Sequence, residues 1–298
     1  MLNQHQITAI FCEIHDFCKQ FDDYINQHAL ESAANVNKRG PSQGLHFSEI
    51  MFILIAFQTI GFRNFKTFYN SFVTPLWLNY FPELPSYQRF VELIKQAAVP
   101  LALFAQLKSG KKTGIYYIDS TCLPVCSNKR TRRHKTFKEI AKLGKTSIGW
   151  FFGLKLHIVI NSLGELIAFK ISRGNCHDAK AAPALLNGLK GLSFGDKGYI
   201  GKKIFDELLH KGLKLITRKR KNMKPMLLSE DEKQLLNQRN LVETVINSLK
   251  NYYQIWHTRH RSVINAITHL FAGLCAYTIN PLKLSAFKAL NVKPKVIS

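Results

Sequence analysis

The hydrophobic period of this chain changes once, near Gly110, and that change constrains the fold more than any other feature. Before it, apolar side chains recur at three- and four-residue steps, as in Phe11, Ile14, Phe17, Phe21 and Tyr24, the spacing of a helix that buries one face. After it come runs of strand formers. GIYYID (114–119), IGWFFGLKLHIVIN (148–161) and ELIAFKIS (165–172) read as three successive strands, the last two joined by the short turn 162–164. Then a helix (179–189), a short strand (192–194), a helix (199–211) and the strand LKLIT (213–217) alternate. Ser229 opens one long helix reaching about residue 253, with Glu232 at the capping-box offset. Three strands followed by alternating helices and strands call for an α/β fold: a mixed five-stranded sheet with flanking helices. An all-α region precedes it and a C-terminal helix follows. The expected divisions are 1–110, 111–255 and 256–298.

Within 1–110, Ser48 is placed to cap a helix running to Thr59, Gly61 to stop it, and 64–69 to begin another. The pattern is either a helix-turn-helix or a plain helical hairpin, since only Arg63 and Lys66 are basic there. Pro75, Pro82 and Pro85 mark a loop, and Ser86 caps SYQRFVELIKQAA, which ends before Pro100. The apolar stretch 50–62 contains Gln58 and is too short to span a bilayer, and 263–279 carries Asn265, Thr268 and His269 at helical spacing. Both read as core helices of a soluble protein with no membrane partner. The N-terminus lacks the basic segment of a signal peptide, so the expected location is the cytoplasm.

The net charge is +23, from 42 Lys+Arg against 19 Asp+Glu. Residues 1–110 hold eight of each. The remaining 34 basic and 11 acidic residues, which account for all of the +23, therefore lie in 111–298. Such a surface suits a polyanion, nucleic acid first. The six cysteines form no CxxC pair, and Cys122, Cys126 and His134 match no common zinc spacing. They read as reduced thiols.

With acids this scarce, those at strand ends stand out. The first and fourth strands each end on an aspartate, Asp119 and Asp196. If these strands are neighbours, the two emerge side by side, and Glu243 on the last helix can lean over the same edge. Three converging carboxylates repel one another unless cations neutralise them, and an oxygen-only set suits magnesium or manganese. Two such ions about 4 Å apart serve phosphodiester cleavage. On the Glu243 helix, Arg239, Glu243 and Lys250 share one face within about 40°. Val242, Val245, Ile246 and Leu249 fill the face that packs on the sheet. Read by itself, the charged face is more often a solvated salt-bridged surface than a site.

The ordered stretches YIDST (117–121), NKRTRRHK (128–135), GKTSIGWFFGLKLHIVIN (144–161), GN-x-HD (174–178), GDKGYIG (195–201), RKNMK (220–224) and HTRHRS (257–262) resemble the DDE-type transposases of bacterial insertion sequences, closest to the nine-eighty-two group. The resemblance implies an RNase H-like fold. It makes Asp119, Asp196 and Glu243 the catalytic, metal-holding acids, with Mg2+ or Mn2+, two ions, as cofactor. Arg239, Glu243 and Lys250 match the family's tyrosine, arginine, glutamate, lysine signature, while Leu236 stands where the tyrosine would be. The partners implied are the element's terminal inverted repeats and target DNA, handled by a homodimer or larger assembly. Region 1–110 would serve DNA-end recognition or dimerisation. Arg130, Arg132, Arg133, Lys135, Arg239, Lys250, Arg259 and Arg261 are the expected DNA contacts. His157 points either toward the site or into the core. Asp178 either supports the metal ligands or, the plainer reading, caps a helix. The alternatives are an RNase H-like nuclease or resolvase that does not join strands, and an inactive copy that only binds DNA.

Overall fold

The amphipathic spacing at the N-terminus folds as one long helix, α1 (Gln4–Ala29), with Ile14 and Cys18 fully buried. The computed structural model describes residues 4–29, 44–147, 149–218, 227–256 and 260–280. The chain divides into two units, the first comprising Met1–Lys108, Tyr252–Ile255 and His260–Ile279.

In that first unit α2 (Phe47–Ile60) is capped by His46 rather than Ser48. The His46 ring accepts from the Ser48 N–H, and the Glu49 carboxylate accepts from the His46 N–H at 2.7 Å. Gly61 ends the helix at φ +89°, a left-handed conformation that a Cβ would oppose. A helical run follows: α3 (Phe65–Phe68) capped by Asn64, a π turn (Tyr69–Val73), then α4 (Thr74–Trp77). Ser86 caps α5 (Tyr87–Leu93), which continues through a 3-10 turn (Ile94–Ala97) into α6 (Ala98–Leu107). The sequence stops this helix before Pro100. Pro100 is instead third in α6, directly after the 3-10 turn, and the helix runs on through it. By length and composition Tyr87–Leu107 could cross a membrane, but half of its apolar window is buried within the protein.

The helix Val263–Ile279, assigned from sequence to a separate C-terminal segment, packs on α2 and α6. α2 is buried on nearly every side, from Ile50 to Gln58, and therefore needs apolar partners all round. The polar residues that interrupt these apolar stretches find partners there. Gln58 donates to the His269 carbonyl at 3.3 Å and Asn265 to the Val91 carbonyl at 3.0 Å.

The second unit holds the sheet. Its elements are β1 (Ile115–Cys126), β2 (Lys142–Lys145), β3 (Trp150–Asn161), β4 (Leu166–Arg173), α7 (Asp178–Leu185), β5 (Gly191–Gly195), α8 (Lys202–His210), β6 (Leu213–Thr217), α9 (Glu230–Asn237) and α10 (Asn240–Asn251). The order across the sheet is β4-β3-β1-β5-β6. β2 lies against the start of β3 as a sixth strand beside the five expected. β1–β3 and β3–β4 are antiparallel; β1–β5 and β5–β6 are parallel. On one face Tyr116, Ile118 and Val159 pack with Ala181, Ala182 and Leu185 of α7 and Leu208 of α8. α10 covers the other face at β1, burying Val242, Val245, Ile246 and Leu249 as their spacing predicts.

Two local expectations change. β1 does not stop at Asp119 but runs seven residues further, paired among the described residues only with β3. The helix that Ser229 opens, with its capping box intact, divides at Gln238–Arg239 into α9 and α10.

Candidate active site

The parallel register Tyr117↔Phe194 sets the two aspartates. Asp119 and Asp196 each lie two residues beyond that pair, on neighbouring strands and on the same face as the Tyr117 and Phe194 rings, which are 5.7 Å apart. β5 ends at Gly195, so Asp196 emerges exposed, while Asp119 stays mid-strand and mostly covered. The division between α9 and α10 carries the chain across this face. There the Tyr117 hydroxyl reaches Gln238 at 3.5 Å, and Arg239 enters the site.

Arg239 is the main departure from the sequence reading. Expected as an exposed phosphate contact, it is 6% exposed. Its Nη1 donates to Asp119 Oδ2 at 3.1 Å and its Nη2 pairs with Glu243 Oε1. The i, i+4 spacing that suggested a common surface places Arg239 over its own helix's carboxylate, and the turn at Gln238 tips it inward. The guanidinium thus joins the first and third acids of the expected triad. Burial pushes the Asp119 carboxyl up to about 6; the Ser120 N–H at 2.7 Å and Arg239 pull it back, and Asp196 adds to the rise. Among the described residues no three His, Cys, Asp or Glu side chains are grouped closely enough to hold one ion. The arginine lies where a shared cation would neutralise Asp119 and Glu243.

Behind β1, on the α7 face, lies a second polar group. His177, not Asp178, caps α7, its ring accepting from the Ala179 N–H at 3.3 Å. The Asp178 carboxylate instead accepts from Ser120 Oγ at 2.8 Å and Lys155 Nζ at 3.1 Å, and Lys155 also donates to the Cys176 carbonyl at 3.0 Å. His157 is fully buried, with Nε2 2.8 Å from Ser172 Oγ and Nδ1 3.8 Å from Asp178. Its imidazole is held down to about 4, mainly by burial; Asp178 opposes this, and Lys155 and Lys170 add to it. Of the two readings left open, His157 lies in the core, beside Asp178.

Tyr199, three residues after Asp196, is buried between these groups. Its phenol is raised far above its ordinary value by burial, then by Asp119 and Asp178. A Cβ at Gly195 would come within 3.1 Å of Ile118 and 3.2 Å of Tyr199, and one at Gly198 within 3.1 Å of Asp178 Oδ2. The glycines of GDKGYIG therefore let the Asp196 loop close onto β1 and α7. Sequence reasoning missed Ser120 and Tyr199, although both lie inside the quoted motifs YIDST and GDKGYIG.

The other expected contacts are more scattered. Asn128–Arg133 forms a 3-10 turn rather than a plain loop, with Arg130, Arg132, Arg133 and Lys135 exposed. His134 stacks on buried Phe137 beneath it. Lys250 lies over the Trp256 ring at 4.7 Å. Arg261 is exposed but belongs to the helical unit. Arg259 and RKNMK (220–224) lie outside the described residues.

A central strand flanked on one side by antiparallel strands and on the other by parallel ones, with acids at the parallel junction, is an RNase H-like arrangement. Residues 109–263, just over half of the chain, match the family model described as a transposase DDE domain, and the chain belongs to that family. A solved structure, the cryo-EM synaptic complex of piggyBac transposase with hairpin DNA, is similar at 10% identity and a TM-score of 0.49, over 96% of this chain and 74% of that one. No curated protein sequence matches the chain.

Proposed function

We propose that this protein is an insertion-sequence transposase that cuts DNA at the element's terminal inverted repeats and joins the freed 3′-hydroxyls to target DNA. The observation that carries the reading is the placement of Asp119 and Asp196 on adjacent parallel strands, with Glu243 tied to Asp119 through Arg239. With Arg239 displaced, the three carboxylates would supply an oxygen-only donor set suited to magnesium or manganese, and bound ions of that kind would lower the pKa of a nucleophilic oxygen and neutralise the leaving one. Asp119, Asp196 and Glu243 would hold them. Arg239 would leave the carboxylates it bridges and become available to a phosphate oxygen, for which its planar fork is suited. Asp119 arrives partly desolvated and raised to about 6, so a divalent ion would also offset the cost of its buried charge. Asp178, Ser120 and Lys155 support β1 from behind. Lys250, Arg261 and the arginines of the 128–133 turn would hold the DNA backbone, positioning it rather than reading bases. Two ends must be handled together, which favours a dimer or larger assembly.

The test uses Asp119→Asn, Asp196→Asn and Glu243→Gln in the full chain with magnesium and DNA carrying the terminal repeats. Each should lose strand cleavage while keeping the wild-type circular dichroism spectrum. Cleavage at near wild-type rate by any one of them removes that residue from the set. A wild-type chain that cuts repeat ends but yields no joined product would favour the nuclease reading.

A further inference from the structure

We infer that the hairpin of β2 and β3 carries a stacking platform for an unpaired DNA base, centred on Trp150. Trp150 is the first residue of β3, opposite Lys145 in the β2 register, and it is 55% exposed. A large aromatic left in water at a strand end forgoes burial worth having, and such positions are enriched where a partner binds. The backbone of Trp150 is held. The Asn128 amide donates to the Trp150 carbonyl at 2.7 Å, and β3 continues directly into the sheet. Leu143, 47% exposed, lies next to Lys145 on the same strand face and extends the apolar surface.

The surroundings state what kind of partner fits. Residues 128–145 contain eight basic residues and one acid, Glu139. Arg130, Arg132, Arg133, Lys135, Lys142 and Lys145 are all exposed, and among the described residues none of the six is in an ion pair. Lys145 Nζ lies over the Trp150 ring, 5.6 Å from its centre, in a cation–π contact. An exposed indole inside a cationic field is the combination that binds single strands: cations track the phosphates and the ring takes a base face. A fully paired duplex would satisfy the cations but offer the indole no open base. Trp256 is a weaker candidate, because its own ring is covered more closely by Lys250, at 4.7 Å.

The register also gives a location. Asp119 is paired with Ile158, and Trp150 lies eight residues back along β3, a separation of about 26 Å at the rise of an extended strand. The inference rests on the reading of this chain as a DNA-acting enzyme, yet it concerns binding alone.

The experiment titrates the full chain, without divalent ions, with a short oligothymidine, the same sequence as RNA, and a duplex of equal length. Indole emission and anisotropy are followed in wild type, Trp150→Ala, Trp150→Phe and Trp256→Ala. Oligothymidine should quench the emission of wild type and of Trp256→Ala, and much less that of Trp150→Ala. Trp150→Ala should lose about tenfold in single-strand affinity with duplex affinity unchanged, and Trp150→Phe should recover most of the loss. Equal single-strand affinity in wild type and Trp150→Ala would overturn the platform, as would an equal loss on duplex. Tighter binding of the RNA than of the DNA would overturn the assignment to DNA. Because no cleavage is read, an enzyme that fails to cut can still show stacking, and the reverse.

Discussion

Arg239 donates to Oδ2 of Asp119 at 3.1 Å across a separation of 120 residues, and the same guanidinium pairs with Glu243. The pair is largely out of water, with the Arg239 side chain 8% and the Asp119 side chain 19% exposed. One buried cation therefore holds two of the three acids together.

Removing that cation should leave Asp119 uncompensated. Arg239→Gln is expected to destabilise the chain by about 3 kcal/mol in the absence of divalent ions, the low end for breaking a buried pair, because Asp119 can take up a proton. Magnesium should restore more stability to the variant than it adds to wild type, since the ion would take the guanidinium's place. Thermal unfolding with and without magnesium measures both effects; an equal response in the two proteins would separate Arg239 from the metal site.

Asp178 tests the support behind β1. Asp178→Ala leaves Lys155 and Ser120 without their shared acceptor, and the Asp196 loop without the carboxylate that Gly198 closes upon. Cleavage should fall about ten- to a hundredfold with DNA affinity unchanged, as for groups that orient metal ligands. Asp178→Asn, which keeps an acceptor for Ser120, should recover part of the loss. Parallel rate and binding measurements distinguish this from simple unfolding.

His157 makes stability depend on pH with a definite sign. Its imidazole is held at about 4 in the folded chain against 6.5 when free. Above 6.5 neither state binds the proton and the full contribution is present. As pH falls from 6.5 toward 4 the unfolded chain gains a proton that the folded chain refuses, and roughly 3 kcal/mol is lost. Below 4 both bind it and the loss ends. His157→Gln should flatten this window, so the difference in unfolding free energy between the two proteins across pH 4 to 7 isolates the residue from Asp119, whose shift has the opposite sign.

The exposed arginines of the 128–133 turn should act through phosphate. Replacing Arg130, Arg132 and Arg133 with alanine is expected to weaken all DNA sequences alike and to reduce the slope of log affinity against log salt by up to about three. Filter binding at several salt concentrations provides the slope. Retained affinity for random duplex with lost preference for the terminal repeat would make the turn a base reader.

The last helix should be indispensable to the first unit. Ending the chain after Ile255 removes Val263–Ile279 and exposes the faces of α2 and α6 it covers. The truncated chain should lose helical circular dichroism and shift the emission of buried Trp77 to longer wavelength. A truncated chain with unchanged melting would mean that the N-terminal helices close their own core.

The change of hydrophobic period, five of the six strands, the two aspartates at strand ends and the buried stripe Val242–Leu249 could be read along the chain. Each depends on local spacing: a repeat of two or about 3.6 residues states which side of an element is apolar wherever that element ends up. The family resemblance added the order of the motifs; the fold carries Asp119 within β1, Asp196 just after β5 and Glu243 on α10. Spacing could not say which partner each surface meets. Arg239 looked solvated because its helix face is polar, and only the turn at Gln238 and the position of β1 bring it onto Asp119. Asp178 looked like a cap because it begins a helix; His177 took that role and left the carboxylate to Ser120 and Lys155. Val263–Ile279 looked like a separate tail, but the all-round apolar α2 required it. Those outcomes belong to tertiary structure, because a polar or apolar side chain is satisfied by whatever the rest of the chain brings within a few ångströms, and that is not a property of its own neighbourhood in sequence.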